Sequence, residues 1–589
     1  MTRTTPAGTP LGDDFHVYDT TLRDGAQREG ISYSVPDKLA VARVLDTLGV
    51  GFIEGGWPGA LPKDSEFFQR AAAGELDLRH SVLAAFGSTR RAGVRVEEDA
   101  QVRALLDSRA PAVTLVAKSD RRHIERALRT DVEENCAMVA DTVRFLVGEG
   151  RRVFLDAEHF FDGYAHDPDA SLRVLDAAVQ AGADVVVLCD TNGGQLPTGL
   201  AATVQEVAAR TGFRLGIHCQ DDTDCAVANT LAATQAGVTH VQCTANGYGE
   251  RAGNADLFAV LGNLATKLEM PVLPEGNLSE LSWASHRLAE LANLAPDTHQ
   301  PYVGSSTFAH KAGLHASAIK VDPELYNHIE PSTVGNDMRV LVTEMAGRAS
   351  LELKGAELGV DLSRSPDAVG GAVRRVKELE AGGWSFEAAD ASLELLLRRE
   401  LAVAEGEPED SCAAPFDLES YRVMLDHRPD GSVVSEATVK VHVEGERVIA
   451  TSEGNGPVNA LDAALREALA PRLSWVDEVE LVDYKVRILT DASGTDAVTR
   501  VLVESRDGER EWTTVGVDGS IVEASWLALC DALAHKALRA HPAGRSTGHQ
   551  SAAEQSTGER STGERADGQA AGQGRVDGQD EPRVLTRPS

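Results

Sequence analysis

The sequence predicts an α/β protein: a (β/α)8 TIM barrel, then helical subdomains, then a smaller C-terminal α+β domain built from two βββα units. Three observations carry that expectation. Before residue 270, eight short apolar runs rich in Val, Ile, Leu and Phe alternate with stretches of helical period. Polar residues capable of chemistry gather at the C-terminal ends of those runs, the ends that a barrel collects onto one face. Toward the C-terminus, three strand-like segments followed by a helical one occur twice.

Taken in order, the runs are FHVYD (15–19), VGFIEGG (50–56), SVLAAFG (81–87), AVTLVA (112–117), RVFLDAE (152–158), DVVVLCD (184–190), RLGIHC (214–219) and HVQCTAN (240–246). The amphipathic segments between them include 36–48, 131–149, 168–181, 196–210, 223–236 and 255–266. Each is long enough for a crossover helix between parallel strands. A doubly wound open sheet is the alternative, but eight units favour closure. The barrel is expected over 15–276, after a flexible start at 1–14. The region 277–410 reads as linker and helical subdomains, with two helices over 365–403 split by AGGW (381–384). The C-terminal domain is expected over 416–540. Its strands read YRVMLDH (421–427), SEATVKVHV (435–443) and ERVIATSEG (446–454), then a helix at 457–469. The pattern recurs as VELVDYKVRIL (479–489), TRVLVESRD (499–507) and EWTTVGVDG (511–519), then a helix at 521–540. The last stretch, 541–589, repeats STGER and has almost nothing apolar to bury, so a disordered tail is expected.

Composition excludes several functions. Lys+Arg 57 against Asp+Glu 91 gives a net charge of −34, which disfavours nucleic-acid backbones and anionic membranes as partners. No apolar run approaches the length of a membrane span, and the first residues lack the apolar core of a secretory signal. Seven cysteines without CxxC spacing suit reduced thiols, so a cytoplasmic location is expected.

Four segments carry candidate chemistry. DTTLRDGAQREG (19–30) follows the first run and sets Arg23 beside Asp24. The guanidinium can hold a carboxylate or polarise a carbonyl, and the aspartate can ligate a hard cation; a surface ion pair with a Gly turn is the plainer reading. GIHCQDD (216–222) puts His218 and Gln220 on one face of an emerging strand, a usable but weak donor pair for a divalent metal, or a structural hydrogen-bonding pair. NGYGERAGNAD (246–256) offers Asn254 as a carbonyl-oxygen ligand or a helix cap. STFAHKAGLHASAI (306–319) holds His310 and His315, whose spacing fits no structural zinc site but allows a general acid or base. Glu54, Asp156, Glu158, Asp190, Thr191 and Asn246 complete the strand-end set.

Together, TLRDGAQ, the HxxDD segment, NGYGERAGNADL, the GLH segment and the duplicated C-terminal unit resemble the 2-isopropylmalate/homocitrate/citramalate synthases over about residues 15–540. IEGGWPG (53–59), DAEHFFDGY (156–164) and VGNDMRVLVTEMAGRAS (334–350) look most like the citramalate synthase branch. The resemblance implies a Claisen-type condensation of acetyl-CoA with a 2-keto acid, in this branch pyruvate, followed by thioester hydrolysis. It implies Asp24, His218, Gln220 and Asn254 around a divalent metal, Arg23 on the keto oxygen and Thr191 on the substrate carboxylate. It further implies Glu158 and His315 in proton transfer, with Tyr326 assisting. It also implies a homodimer and an isoleucine effector at the C-terminal domain.

The family motif is His-x-His-Asn-Asp, whereas this chain reads His218-Cys219-Gln220-Asp221-Asp222. An amide oxygen is a harder ligand than an imidazole, so Mg²⁺ or Mn²⁺ is expected ahead of Zn²⁺, with Asp221 a candidate for the missing charge. A retuned metal site and a lost one both stay open. So do three competing activities: a 2-isopropylmalate synthase-type enzyme using another keto acid, a non-catalytic small-molecule sensor, and a metal-dependent aldolase or lyase.

Overall fold

The computed structural model describes residues 13–407, 414–489 and 497–540. The expected tail and most of the expected flexible start lie outside these residues. Eight parallel strands close into a barrel in sequence order. They are β1 (His16–Asp19), β2 (Phe52–Glu54), β3 (Val82–Ser88), β4 (Ala112–Lys118), β5 (Arg152–Glu158), β6 (Val185–Asp190), β7 (Leu215–Cys219) and β8 (His240–Cys243). Closure is direct, with Asp19 of β1 in register with Cys243 of β8. All eight apolar runs are therefore strands of one barrel. The ring of helices includes Pro62–Arg70 and Ala100–Asp107, two short elements that the helical-period reading passed over.

Local chemistry sets the helix ends. Helix Val35–Leu48 starts at a reciprocal capping box between Ser34 and Asp37 and stops at Gly49, φ 97°. A Cβ at Gly49 would also lie 2.3 Å from Pro274 Cδ, so both the left-handed backbone and the close approach require glycine there. Strand alternation then divides the core. Val41, Leu45, Ile53, Val113 and Leu155 pack between strands and helices, while Tyr18, Phe52, Phe154 and Val187 fill the barrel itself. Phe52 and Phe154 meet edge-to-face at 5.1 Å.

Beyond the barrel, helices Pro366–Ala381 and Asp390–Ala404 flank the AGGW break, as the sequence expects. Two antiparallel three-stranded sheets follow. The first comprises Asp417–His427, Val433–Val443 and Glu446–Gly454, and the second Glu480–Ile488, Thr499–Arg506 and Glu511–Asp518. Period-2 alternation buries Ala437, Val439, Val441 and Val443 against Leu461, Ala464 and Leu465 of helix Pro457–Leu469. Helix Asp390–Ala404 joins the C-terminal unit to the helical region. Its Ser392 hydroxyl accepts from the Val515 N–H at 3.1 Å and donates to Asp531 at 2.7 Å. No helix among the described residues is long and apolar enough to cross a membrane.

One buried ion pair shapes the entrance. Lys38 pairs with Asp64 and donates to the Gly55 carbonyl at 2.9 Å, and Asp64 accepts from the Trp57 N–H at 2.8 Å. The pair thus folds the turn after β2 and sets Trp57 at the rim. Removing one charge from a buried pair leaves the other uncompensated, at a cost of about 3–5 kcal/mol. Asp64→Asn should accordingly lower the urea midpoint of unfolding, and Lys38→Met/Asp64→Leu should recover part of the loss; an unchanged midpoint in Asp64→Asn would show that the pair does not hold the turn.

Candidate active site at the barrel mouth

The C-terminal strand ends open into a cavity of about 620 Å³ lined by Arg23, Asp24, Glu158, Thr191, His218 and Gln220, among others. The first loop delivers Arg23 and Asp24. After β1, Asp19 accepts from the Thr21 N–H at 2.9 Å and the Thr21 hydroxyl at 2.7 Å, and Thr20 C=O accepts from the Asp24 N–H at 2.9 Å. Thr21 Oγ1 also accepts from the Ala245 N–H at 2.8 Å, which ties the loop to the end of β8.

Arg23 does not form the simple pair with Asp24 that its neighbourhood in sequence implies. Its Nε donates to Glu54 Oε2 at 2.5 Å, its guanidinium lies 3.9 Å from the Phe86 ring centroid, and Asp24 is 3.6 Å away. Burial alone would lower the Arg23 pKa, but Glu54, Asp24 and Asp156 outweigh it and raise it. Glu54 is fully buried and accepts from the Tyr18 hydroxyl at 2.8 Å. Burial pushes the Glu54 carboxyl up against the pull of Arg23, and burial with the Glu54 charge pushes Asp156 up to about 8.

A relay fixes His218. Gln242 Nε2 donates to Asp156 at 2.8 Å, so its Oε1 accepts the His218 Nδ1 proton at 2.9 Å. That leaves the His218 Nε2 lone pair to accept from Gln220 Nε2 at 3.3 Å, with Asp24 Oδ2 3.4 Å away. Burial, with Arg23 adding and Asp24 opposing, holds the imidazole below its ordinary pKa, in the neutral form that ligates metals. Gln242 escaped the sequence reading because a glutamine inside an apolar run carries no distinguishing spacing.

Gln220 and Asn254 are brought together by backbone. The two form an isolated antiparallel bridge, and the Asp221 N–H donates to Gly253 C=O at 2.9 Å. Gly253 has φ +107°, and a Cβ there would lie 2.1 Å from Gly247 O, so the loop closes only with glycine. Asn254 Nδ2 donates to Tyr248 C=O at 3.1 Å. Gln220 Oε1 and Asn254 Oδ1, by contrast, are buried without a hydrogen-bond partner among the described residues. Two orphaned carbonyl-type oxygens beside a carboxylate and an imidazole are what a hard cation uses. No group of three or more His, Cys, Asp or Glu that could hold a metal ion occurs among the described residues, since half of this donor set is amide.

The remaining candidates divide. Thr191 Oγ1 accepts from the His159 N–H at 2.8 Å, which leaves its own proton for the cavity. Glu158 forms an ion pair with Lys118. Asp190 accepts from the Gly194 and Gln195 N–H groups and Asn246 bonds to Ser285 and Gln300, so both hold loops. Asp221 accepts from the Ala226 N–H at 2.7 Å at the start of helix Ala226–Gln235, so it does not supply the charge that the amide at Gln220 lacks. His315 and Tyr326 stack at 4.1 Å in the helical region, with His310 bonded to Asn327, and neither His315 nor Tyr326 lines the cavity.

Comparison with known proteins agrees with this architecture. An HMGL-like profile matches residues 14–287, a homocitrate synthase post-HMGL domain-like profile residues 302–383, and a LeuA allosteric (dimerisation) domain profile residues 387–537. The chain is 61% identical to the (R)-citramalate synthase of Streptomyces coelicolor, covering 91% of this chain and 98% of that one. It is 44% identical to the (R)-citramalate synthase of Aquifex aeolicus, over 90% and 99%. It is 35% identical to a probable 2-isopropylmalate synthase of Methanopyrus kandleri, over 87% and 97%. Fold and site define an HMGL-like barrel enzyme. The chain belongs to the 2-isopropylmalate/homocitrate/citramalate synthase family, in its (R)-citramalate synthase branch.

Asp19, beneath the first loop, gives a test of the buried charge. Burial raises its carboxyl from 3.8 to about 7 against the two Thr21 hydrogen bonds. The folded state then holds this proton more tightly than the unfolded state, so stability falls as pH rises across that interval and levels off above it. Asp19→Asn should lack this slope, its unfolding free energy gaining on the parent between pH 3.8 and about 7. A difference independent of pH would show that the carboxyl is not raised.

Proposed function

We propose that this enzyme condenses acetyl-CoA with pyruvate to give (R)-citramalate and CoA. The observation that carries the reading is the pair of buried, unpartnered amide oxygens of Gln220 and Asn254 beside Asp24 and His218 Nε2. Those four residues would hold a divalent cation, with Mg²⁺ or Mn²⁺ favoured by the oxygen-rich set. When bound, the ion supplies Lewis-acid polarisation of the keto group.

The chain's own residues do the rest. Thr191 donates its free hydroxyl proton to the pyruvate carboxylate. Arg23, held by Glu54 and Phe86, donates to the keto oxygen and stabilises the alkoxide that forms there. Glu158 handles the methyl proton of the acetyl group, whose carbanion then attacks the keto carbon. Protonation of the alkoxide and attack of water on the thioester release citramalate and the CoA thiol. His315, with Tyr326 beside it, acts as the second acid or base. Because neither lines the cavity, the subdomain or a second copy of the chain must deliver them. Leu314, Val321 and Leu325 on the same segment are exposed, an apolar surface suited to covering by another subunit in a homodimer.

The C-terminal unit serves control. The LeuA allosteric (dimerisation) match supports an amino-acid effector there, and the product logic of a citramalate route makes it isoleucine. Segment 453–465, where a Gly-rich turn meets the start of helix Pro457–Leu469, is suited to receive the effector's carboxylate. The net charge of −34 and the free thiols fit a cytoplasmic enzyme with neither nucleic-acid nor membrane partners.

Release of CoA thiol from acetyl-CoA should require pyruvate and Mg²⁺ or Mn²⁺, and Asp24→Ala should abolish it with the fold intact by circular dichroism. Faster turnover with 2-oxoisovalerate than with pyruvate would move the substrate to the isopropylmalate type, and metal-independent turnover in Asp24→Ala would sink the site. Isoleucine should inhibit the full-length chain without simple competition against pyruvate. Inhibition by leucine alone would reassign the effector.

A further inference from the structure

The cavity is larger than pyruvate needs, and it is lopsided. From Asp24 and His218 it runs outward past the ends of β3 and β4 to Leu128, Thr130 and Met138, the last on helix Val132–Gly148. The loops around it differ in charge. On the β7/β8 side stand Asp221, Asp222, Asp224 and Glu250, with Arg251 committed to Asp222 and the Thr191 carbonyl. On the β3/β4 side the chain reads RRHIERALR over 121–129, a basic tract in a protein of net charge −34.

Several of those cations are already spent. Arg90 is held by Glu134 and Asp141, Arg121 by Asp167, Arg122 by Asp120, and Lys118 by Glu158. Arg126 and Arg129 are not. Both are exposed, and among the described residues neither side chain has an ion-pair or hydrogen-bond partner. Arg129 sits in the left-handed region at φ 58°, between the cavity-lining residues Leu128 and Thr130. That conformation is uncommon for any residue but glycine, and it turns the loop at the cavity rim. Arg91 also lines the cavity, its side chain 73% exposed; Nε bonds to Asp99 at 3.4 Å, and its terminal nitrogens have no partner among the described residues. Ala92, Leu128 and Met138 add apolar surface to this arm of the cavity, and Arg126 and Arg129 lie just outside its lining, on the same loop as Leu128 and Thr130.

We propose that Arg91, Arg126 and Arg129 form a binding site for the phosphate-bearing nucleotide end of acetyl-CoA, whose thioester arm lies along Leu128 and Met138 to reach the barrel mouth. The assignment rests on acetyl-CoA being a substrate and adds where, and by which residues, it is held. Guanidinium groups recognise phosphate through charge-assisted, paired hydrogen bonds, and the uncharged amide arm of CoA suits the apolar surface. The acidic β7/β8 side repels the same phosphates, which fixes the direction of entry.

The test is calorimetric binding of CoA, 3′,5′-ADP and pantetheine to the full chain and to Arg126→Ala/Arg129→Ala, positions whose exposure makes the double variant safe to fold. CoA and 3′,5′-ADP should bind the parent with affinity that falls as salt rises, and the double variant should bind both about tenfold more weakly. Pantetheine should bind parent and variant alike. Unchanged CoA affinity in the double variant, equal weakening of pantetheine, or failure of the parent to bind CoA would overturn the site. The outcomes also separate this site from the condensation. CoA held by these arginines in a protein that releases no CoA thiol with pyruvate would refute the condensation alone. Turnover of acetyl-CoA with an unchanged KM in the double variant would refute this site alone.

Discussion

A buried guanidinium cannot stand alone, and Arg23 at the mouth of this barrel is the group that organises the others. Its partner, Glu54, leaves water entirely to meet it, and Tyr18 donates to the second oxygen of that carboxylate. Two desolvated ions are stable only when geometry and further hydrogen bonds compensate the lost hydration. Here Phe86 stacks on one face of the guanidinium while Asp24 and Asp156 add negative charge nearby. The ion pair joins the loop after β1 to the end of β2, and Tyr18 reaches on to Thr114 in β4 at 2.5 Å. Three strands are thereby locked in one layer, and the direction of Arg23 is set before any substrate arrives.

That layer continues around the barrel as a sequence of satisfied polar contacts. Asp156 on β5 accepts from Gln242 on β8, and Gln242 accepts from His218 on β7. Each link fixes the next, and the last turns the other imidazole nitrogen toward Gln220 Nε2 at 3.3 Å and Asp24 Oδ2 at 3.4 Å. Beside His218, two buried amide oxygens, Gln220 Oε1 and Asn254 Oδ1, have no hydrogen-bond partner among the described residues. Buried carbonyl-type oxygens without a donor are the kind of group that a cation satisfies. Gln220 stands where the family motif has histidine, and the backbone bridge sets it beside Asn254.

The loops around the mouth also differ in charge. The loops after β7 and β8 carry Asp221, Asp222, Asp224 and Glu250, whereas those after β3 and β4 mix arginines with carboxylates. His315 and Tyr326 lie outside this arrangement, stacked on each other in the helical region. The polar groups gathered at the barrel mouth are thus separate from this aromatic pair.

The sequence by itself determined the eight strands, the crossover helices, the C-terminal βββα repeat and the loop positions of Arg23, Asp24, His218 and Asn254. Hydrophobic period, capping residues and glycine turns act over a few residues, so they are legible in one dimension. Helices Pro62–Arg70 and Ala100–Asp107 escaped notice because so few turns make a weak period. Only the tertiary structure decided that Arg23 belongs to Glu54, that Asp221 caps a helix, that Gln242 aims His218, and that His315 stands apart from the cavity. Those outcomes depend on which strand ends meet in space. Thr21 receives its hydrogen bond from Ala245, at the far end of the barrel sequence, and closure of the sheet alone brings the two together.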